Sequence, residues 1–181
     1  MSHIKRVALT VALLIIGVAV ITKYALLNKG VAVIDPNYTL TLGKAGSEHS
    51  HASILIIIND KIVDLSDSKY ANQSEYAHMH DNEPYYIHKH ARGVSLYMFL
   101  ISLGISVTDD CISLDGIKHC TDTTNTLTLW VNRATLKVNL EHYEIRNGDK
   151  IFINYGTDTL EELNFKANSL PDLSPDLEQN G

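Results

Sequence analysis

The chain divides into an N-terminal stretch that is almost wholly apolar and a body in which apolar and polar positions alternate. Residues 7–22, VALTVALLIIGVAVIT, carry no charge, and apolar residues continue past Lys23 to residue 27. A helix that spans a bilayer needs about 17 to 25 mainly apolar residues. The stretch is long enough if the Lys23 ammonium extends to the membrane interface. We therefore predict a membrane anchor over residues 1–27, with residues 7–27 in the lipid bilayer.

A cleaved signal peptide is the alternative for this stretch. Signal peptides have a shorter apolar region and end in a site of the Ala-x-Ala kind, and no such site follows Thr22. Lys5, Arg6 and the N-terminal amino group precede the span, and Lys23 and Lys29 follow it. This weak positive bias places the N-terminus inside. We expect a single-pass protein of the cell membrane, with a cytoplasmic N-terminus and the C-terminal domain outside.

The rest of the chain divides by its turn-forming residues and its charge. Residues 28–47 contain Asp35-Pro36, Gly43 and Gly46, which interrupt regular structure, and we interpret them as a juxtamembrane stalk. Residues 48–156 are predicted to form the folded domain. Residues 157–181 are acidic, contain Pro171 and Pro175 and lack clear periodicity, which predicts a mobile tail.

Within the domain, short β-branched runs alternate with turn signals. Asn59-Asp60 separates two such runs and predicts a hairpin of residues 49–58 and 61–65. Further strands are expected at residues 126–132 and 136–139. A last strand, KIFINYG, follows the Asn147-Gly148 turn.

One segment has helical periodicity. Leu96, Phe99, Leu100 and Leu103 recur at a spacing that forms one apolar helix face. Ser95 is a favourable N-cap, and Gly104 ends the pattern. We predict one helix packed on the core.

The two cysteines flank a hairpin signal in CISLDGIKHC. A two-residue turn at Asp115-Gly116 sets Cys111 directly opposite Cys120. The pair falls at a non-hydrogen-bonded position, where the Cα atoms are close enough for a disulfide. A structural disulfide implies an oxidising compartment. Two reduced cysteines, or a metal-binding pair, are the alternative.

The second half of the domain resembles the β-grasp (ubiquitin-like) fold of sulfur-carrier proteins. The matching elements are Ser95-Leu96, Val131-Asn132 and the run Gly148-Asp149-Lys150-Ile151. The diglycine tail that carries sulfur in those proteins is missing, so the resemblance implies the fold and not sulfur transfer. We therefore expect an α+β protein. An N-terminal transmembrane helix would precede a β-grasp-like mixed sheet with one packed helix and a histidine-rich insertion.

Six of the nine histidines occur in three His-x-His pairs. Two residues at i and i+2 of a strand project to the same face. If the second and third pairs lie on antiparallel arms, a register with His80 opposite His88 also sets His78 opposite His90. Neutral imidazole binds Zn²⁺, Cu²⁺ and Ni²⁺. The candidate metal ligands are His49, His51, His78, His80, His88 and His90.

Two questions about this cluster stay open at the level of sequence. The first pair either completes the site of the other four histidines or forms a second one. Glu48, Asp81 and Glu83 are nearby carboxylates that can ligate an ion or orient an imidazole. The alternative is that all these residues are solvated positions of an irregular insertion. The isolated His3, His119 and His142 are assigned to the surface.

The same histidines carry a second resemblance. The order H-x-H-A, then H-x-H-D-N, then Ile-His before an S-L-x-x-F helix is similar to a family of uncharacterised, membrane-anchored or secreted prokaryotic proteins, some from ammonia-oxidising archaea. The matching residues are His49, His51, Ala52, His78, His80, Asp81, Asn82, Ile87, His88, Ser95, Leu96 and Phe99. The resemblance adds weight to the histidine motifs, and it implies no activity.

Charge narrows the classes of function. The formal net charge of -6 and pI near 5.8 argue against a nucleic-acid partner. We expect a Cu or Zn protein for metal delivery, for storage, or as an accessory subunit with a protein partner in a membrane complex. The alternatives are an interaction module without metal and a metal-dependent enzyme. Catalysis is the less favoured because no Ser-His-Asp order, nucleophile elbow or phosphate loop is present.

Overall fold

The computed structural model describes residues 40–80, 82–136 and 139–173. The predicted anchor and most of the predicted stalk lie outside these residues. Among the described residues, no helix has the length and apolar character needed to cross a membrane.

The described residues form ten strands, two α-helices and one short 3-10 helix. The strands are β1 (Ser50–Ile58), β2 (Lys61–Ile62), β3 (Ala77–His78), β4 (Tyr86–Lys89), β5 (Ser106–Val107), β6 (Cys111–Leu114), β7 (Ile117–Cys120), β8 (Thr126–Val131), β9 (Ala134–Thr135) and β10 (Lys150–Gly156). The helices are α1 (Leu96–Ser102) and α2 (Leu160–Ala167), with the 3-10 turn at Leu140–His142.

The main sheet is mixed and has seven strands. Its order is β3-β4-β1-β10-β8-β9, and β2 pairs with the far end of β1. The central strands β1 and β10 run parallel, whereas the other pairs are antiparallel. Strands β5, β6 and β7 form a second, small sheet. The expected α+β class with a mixed sheet is confirmed.

Strand β1 is buried along its whole length because both faces of the sheet are covered. Ile54 and Ile56 belong to the larger apolar cluster, which includes Leu96, Phe99 and Leu100 of α1. Leu55 and Ile57 belong to a second cluster with Leu163 and Ala167 of α2. A strand buried on both sides reads as a continuous apolar run, which explains the sequence SILIII in this strand.

The turn-based predictions are largely confirmed. Asn59 and Asp60 adopt positive φ angles of 50° and 63°, as a tight two-residue hairpin turn requires, although β2 contains only Lys61–Ile62. Helix α1 has Ser95 as its N-cap, with the side chain accepting a hydrogen bond from the Met98 N–H.

The cysteine hairpin is also confirmed. Strands β6 and β7 pair in the predicted register, with Cys111 opposite Cys120. The two residues form a disulfide, and their Cα atoms are 4.0 Å apart. The alternative of two reduced cysteines is thereby set aside for this structure.

The predicted mobile tail is wrong for its first part. Residues 160–167 form α2, which packs on the sheet, so the domain has two helices rather than one. The helix begins with a capping box: Thr159 accepts a hydrogen bond from the Glu162 N–H, and Glu162 accepts one from the Thr159 N–H.

Two smaller boundaries also differ from the sequence prediction. Of the strand expected at residues 136–139, the described Leu136 and Asn139 lie outside any strand. Strand β9 is at Ala134–Thr135, and Asn139 caps the 3-10 turn. The folded part begins before residue 48, because the Gly43 N–H donates to the Arg92 carbonyl. This segment passes so close that a Cβ on Gly93 would collide with the Thr41 carbonyl.

Candidate metal centre

The three His-x-His pairs lie on adjacent strands at one end of the main sheet. In this corner β4 lies between β1 and β3, with His51 paired to His88 and His88 paired to His78. Residues that pair directly across strands project to the same face. These three imidazoles therefore form a row across the sheet, on the face that carries Leu55 of β1.

The other three histidines extend this row. The ring of His49 is 4.9 Å from that of His90, and the ring of His90 is 5.0 Å from that of His78. His80 stacks on His88 with ring centroids 4.0 Å apart. The structure thus brings all six candidate histidines into one continuous set of ring contacts.

The predicted register between the second and third pairs is wrong by two residues. His78, and not His80, lies opposite His88. Ala77 and Met79 are buried in the core on the other face, which fixes the face of β3 that carries the histidines. Because a shift of two residues preserves the face, the histidines still converge, and His80 reaches His88 from beyond the end of β3.

Two groups of side chains place their ligand atoms close enough for one ion each. In the first group, atoms of His49, His51 and His88 lie within 4.8 Å of one another. In the second group, the same holds for His80, Glu83 and His88. The Glu83 carboxylate approaches His88 directly, with Oε2 3.1 Å from Nε2. His88 belongs to both groups.

His78 is oriented next to the second group. Its Nδ1 lies 2.8 Å from the Ser74 carbonyl oxygen, so the Nδ1–H donates and the Nε2 carries the lone pair. That Nε2 is 3.2 Å from the Nε2 of His80. Two nitrogen ligands of a tetrahedral zinc ion, with bonds of about 2.0–2.1 Å, are separated by about 3.3–3.4 Å. This pair therefore has nearly the spacing of two ligands on one ion.

Burial keeps the central imidazoles in the form that binds metals. Desolvation lowers the pKa of His88 to about 4, although the hydrogen bond with Glu83 opposes this shift, and the neighbouring His80 and His51 lower the pKa further. The pKa of His90 is also lowered, mainly by burial and then by its histidine neighbours. A neutral imidazole has a free lone pair for a metal, so both rings are in a form that can bind an ion at neutral pH.

The nearby carboxylates divide into different roles. Glu83 contacts the cluster, whereas Glu48 accepts hydrogen bonds from Lys89 and Ser50. Asp81 lies outside the described residues.

Lys89 and Ser74 also position the site, and neither is predicted from the sequence. In the sequence, Lys89 is marked only by its position between the two histidines of the third pair. The Ser74 carbonyl is a backbone group, so no side chain in the sequence indicates its role.

The isolated histidines contribute to neither group. His119 lies on β7, in the smaller sheet, with its ring 5.3 Å from that of Tyr155. His142 lies in the 3-10 turn. His3 is outside the described residues. These positions make His119 and His142 matched controls for the cluster.

Comparison with known proteins leaves the function to be inferred from this site. The chain matches no protein-family model, no curated protein and no solved structure. The two resemblances drawn from sequence motifs stay predictions. The histidine cluster and the disulfide are the features from which a function can be argued.

Proposed function

We propose that this chain binds a divalent transition-metal ion, Cu or Zn, through its histidine cluster. One observation carries the proposal: the ligand atoms of His80, Glu83 and His88 lie within 4.8 Å of one another, with the lone pair of His78 beside His80. Three imidazoles and one carboxylate make a four-ligand set of the kind that Zn²⁺ and Cu²⁺ accept.

The burial of Met79 bears on the choice of metal. Thioether ligands select Cu(I), and Met79 lies between two of the histidines in the sequence. Its side chain is fully buried in the apolar cluster that includes α1, on the face opposite the histidines. The donors on the histidine face are therefore nitrogen and oxygen, which favours Zn²⁺ or Cu²⁺ over Cu(I).

The strand order supports the proposed β-grasp-like arrangement. Strands β1 and β10 come first and last along the chain among the strands of the main sheet, and they lie parallel at its centre. Helix α1 packs on one face of this sheet. The histidine-rich segment follows β2 and adds β3 and β4 beside the start of β1. The candidate site would then be an addition to the edge of the fold.

The proposed role is metal delivery, storage or service as an accessory subunit of a membrane complex. His49 and His80 are exposed, so an ion held there remains open to exchange. The disulfide supports an oxidising location, in agreement with a domain held outside the cell by an N-terminal anchor.

Metal titration of the full chain in a mild detergent tests the proposal. After treatment with a chelator, calorimetry with Zn²⁺ and with Cu²⁺ should show binding by the parent. His80→Ala combined with His88→Ala should weaken it by at least about tenfold, or about 1.4 kcal/mol. His119→Ala combined with His142→Ala should leave the affinity unchanged. No binding by the parent would contradict the proposal and favour an interaction module without metal.

Protease protection tests the proposed topology. Protease added to intact cells should cleave within residues 40–181 and leave the segment around Lys5 and Arg6 protected. Protection of the C-terminal domain would place it inside and contradict the proposed external location.

A further inference from the structure

We propose that the cluster is a two-ion site in which His88 is the ligand common to both ions. This inference rests on the proposed metal binding and goes further by assigning the number of ions and their connection. It follows from the position of His88, which belongs to both groups of potential ligands, while the remaining members of the two groups differ.

His88 lies on the middle strand of the three that carry the histidines. On one side it pairs with His51 of β1, and the two ring centroids are 4.7 Å apart. On the other side it pairs with His78 of β3, and it also stacks on His80. An imidazole has two ring nitrogens, so a ring in this position can serve one ion on each side.

Each group also has a further imidazole next to it. The ring of His90 is 4.9 Å from that of His49, beside the first group. His78 stands beside His80 in the second group, with the two Nε2 atoms 3.2 Å apart. Each ion would therefore have four ligands, as a tetrahedral site requires. The six imidazoles and Glu83 exceed what one such ion uses, and they suffice for two only if His88 is counted twice.

The shared ligand has a defined proton balance. The second group uses Nε2 of His88, which already lies 3.1 Å from Glu83. In the proposed site the first group would then use the other ring nitrogen, Nδ1. A ring that binds an ion through each nitrogen has lost its N–H proton, so binding of the second ion releases that proton to solvent. No oxidation or reduction takes part.

Titration of the full chain with Cu²⁺ in detergent, followed by electron paramagnetic resonance and native mass spectrometry, tests the inference. Two Cu²⁺ ions joined by one imidazolate couple magnetically. The resonance signal should rise with the first equivalent and fall with the second, while the mass shows two ions bound. This measurement needs no substitution, so it stands even if replacing the buried His88 disturbs folding.

Variants separate the two positions. His49→Ala with His51→Ala should leave one ion on the second group, and His80→Ala with Glu83→Gln should leave one ion on the first. His88→Ala should weaken both binding steps by more than about tenfold. In each of the two double variants the remaining copper should give an uncoupled signal.

Four distinct results would overturn the inference. A parent that binds one ion only, or two ions whose signals add without coupling, would refute the shared ligand while leaving metal binding intact. Loss of a single binding step in His88→Ala would do the same. A parent that binds no ion would refute the proposed function itself.

Discussion

The Nζ atom of Lys89 lies 3.0 Å from Oε1 of Glu144 and also contacts both carboxylate oxygens of Glu48, at 3.0 and 3.1 Å. Lys89 is 1% exposed, although it stands between two histidines of the cluster in the sequence. Because neighbours in a strand point to opposite faces, this ion network holds β4 from the side opposite His88. The site therefore depends on a buried charge that is not itself a metal ligand.

Lys89→Met should destabilise the folded domain. The substitution keeps most of the side-chain volume but leaves two carboxylates, each about three-quarters buried, without their cation. Removing one partner from a buried ion pair costs about 3 to 5 kcal/mol. We expect a loss of about 3 kcal/mol in the free energy of unfolding, measured by guanidinium denaturation.

Lys69→Met is the matched control. Lys69 pairs with Asp115 at 2.9 Å, but both side chains are largely exposed. Exposed pairs contribute less than about 1 kcal/mol, so this variant should unfold close to the parent. Equal losses of unfolding free energy in the two variants would show that the Lys89 network stabilises the fold no more than an exposed ion pair does.

Lys89 also shows where sequence reasoning about the site reached its limit. The period of two in each His-x-His pair correctly predicts that the imidazoles share a face. The burial of Ala77, Met79 and Ile87 fixes the opposite face, but it does not distinguish two registers that differ by two residues. The prediction that His80 lies opposite His88 is therefore wrong, although the predicted face is right.

The C-terminal helix illustrates a different limit. Thr159-x-x-Glu162 is a recognisable capping box, but the eight residues of α2 bury only Leu163 and Ala167. So narrow an apolar face gives little periodicity. The strands and turns around Asp115-Gly116 and Asn147-Gly148 were predictable because their signals are local. The packing of α2 on Trp130 and Phe152 is a tertiary contact.

Leu163→Ala should therefore destabilise the domain, although residue 163 was assigned to a mobile tail. Its side chain packs in the apolar cluster with Leu55 and Phe152. Truncation of a buried leucine costs about 2 to 5 kcal/mol, and we expect about 2 kcal/mol at this partly open edge. Phe165→Ala, on the same helix but 79% exposed, should change the unfolding midpoint little. If neither variant shifts the thermal midpoint, α2 does not contribute to the fold.

Removal of the disulfide should lower stability through the unfolded state. Cys111 and Cys120 are separated by nine positions, and closing a loop of this size stabilises a protein by about 2 to 3 kcal/mol. Cys111→Ser with Cys120→Ser should lose this amount in chemical denaturation. The parent with its disulfide reduced should match the double variant. A reduced parent as stable as the oxidised one would contradict the expected contribution.

The metal-free protein should lose stability as the pH falls from about 6.5 towards 4, because of His88. Burial lowers the pKa of His88 from 6.5 to about 4 in the folded state. In this window the unfolded chain binds a proton at residue 88 that the folded chain does not, so acid favours unfolding. This difference in pKa between the unfolded and folded states corresponds to a loss on the order of 3 kcal/mol in the free energy of unfolding across the window.

His88→Gln isolates this effect, since glutamine does not titrate and retains a polar side chain beside Glu83. The lowered pKa values of Glu144 and Asp158 also reduce stability in acid, but they do so in the parent and the variant alike. The free energies of unfolding of the parent and the variant, measured in the presence of a chelator at several pH values, should therefore approach each other as the pH falls. The parent should be the more stable of the two at pH 7, and its advantage should shrink as the pH approaches 4 because the buried neutral imidazole is then protonated on unfolding. Parallel curves for the two proteins would show that His88 titrates in the folded protein as it does in the unfolded chain.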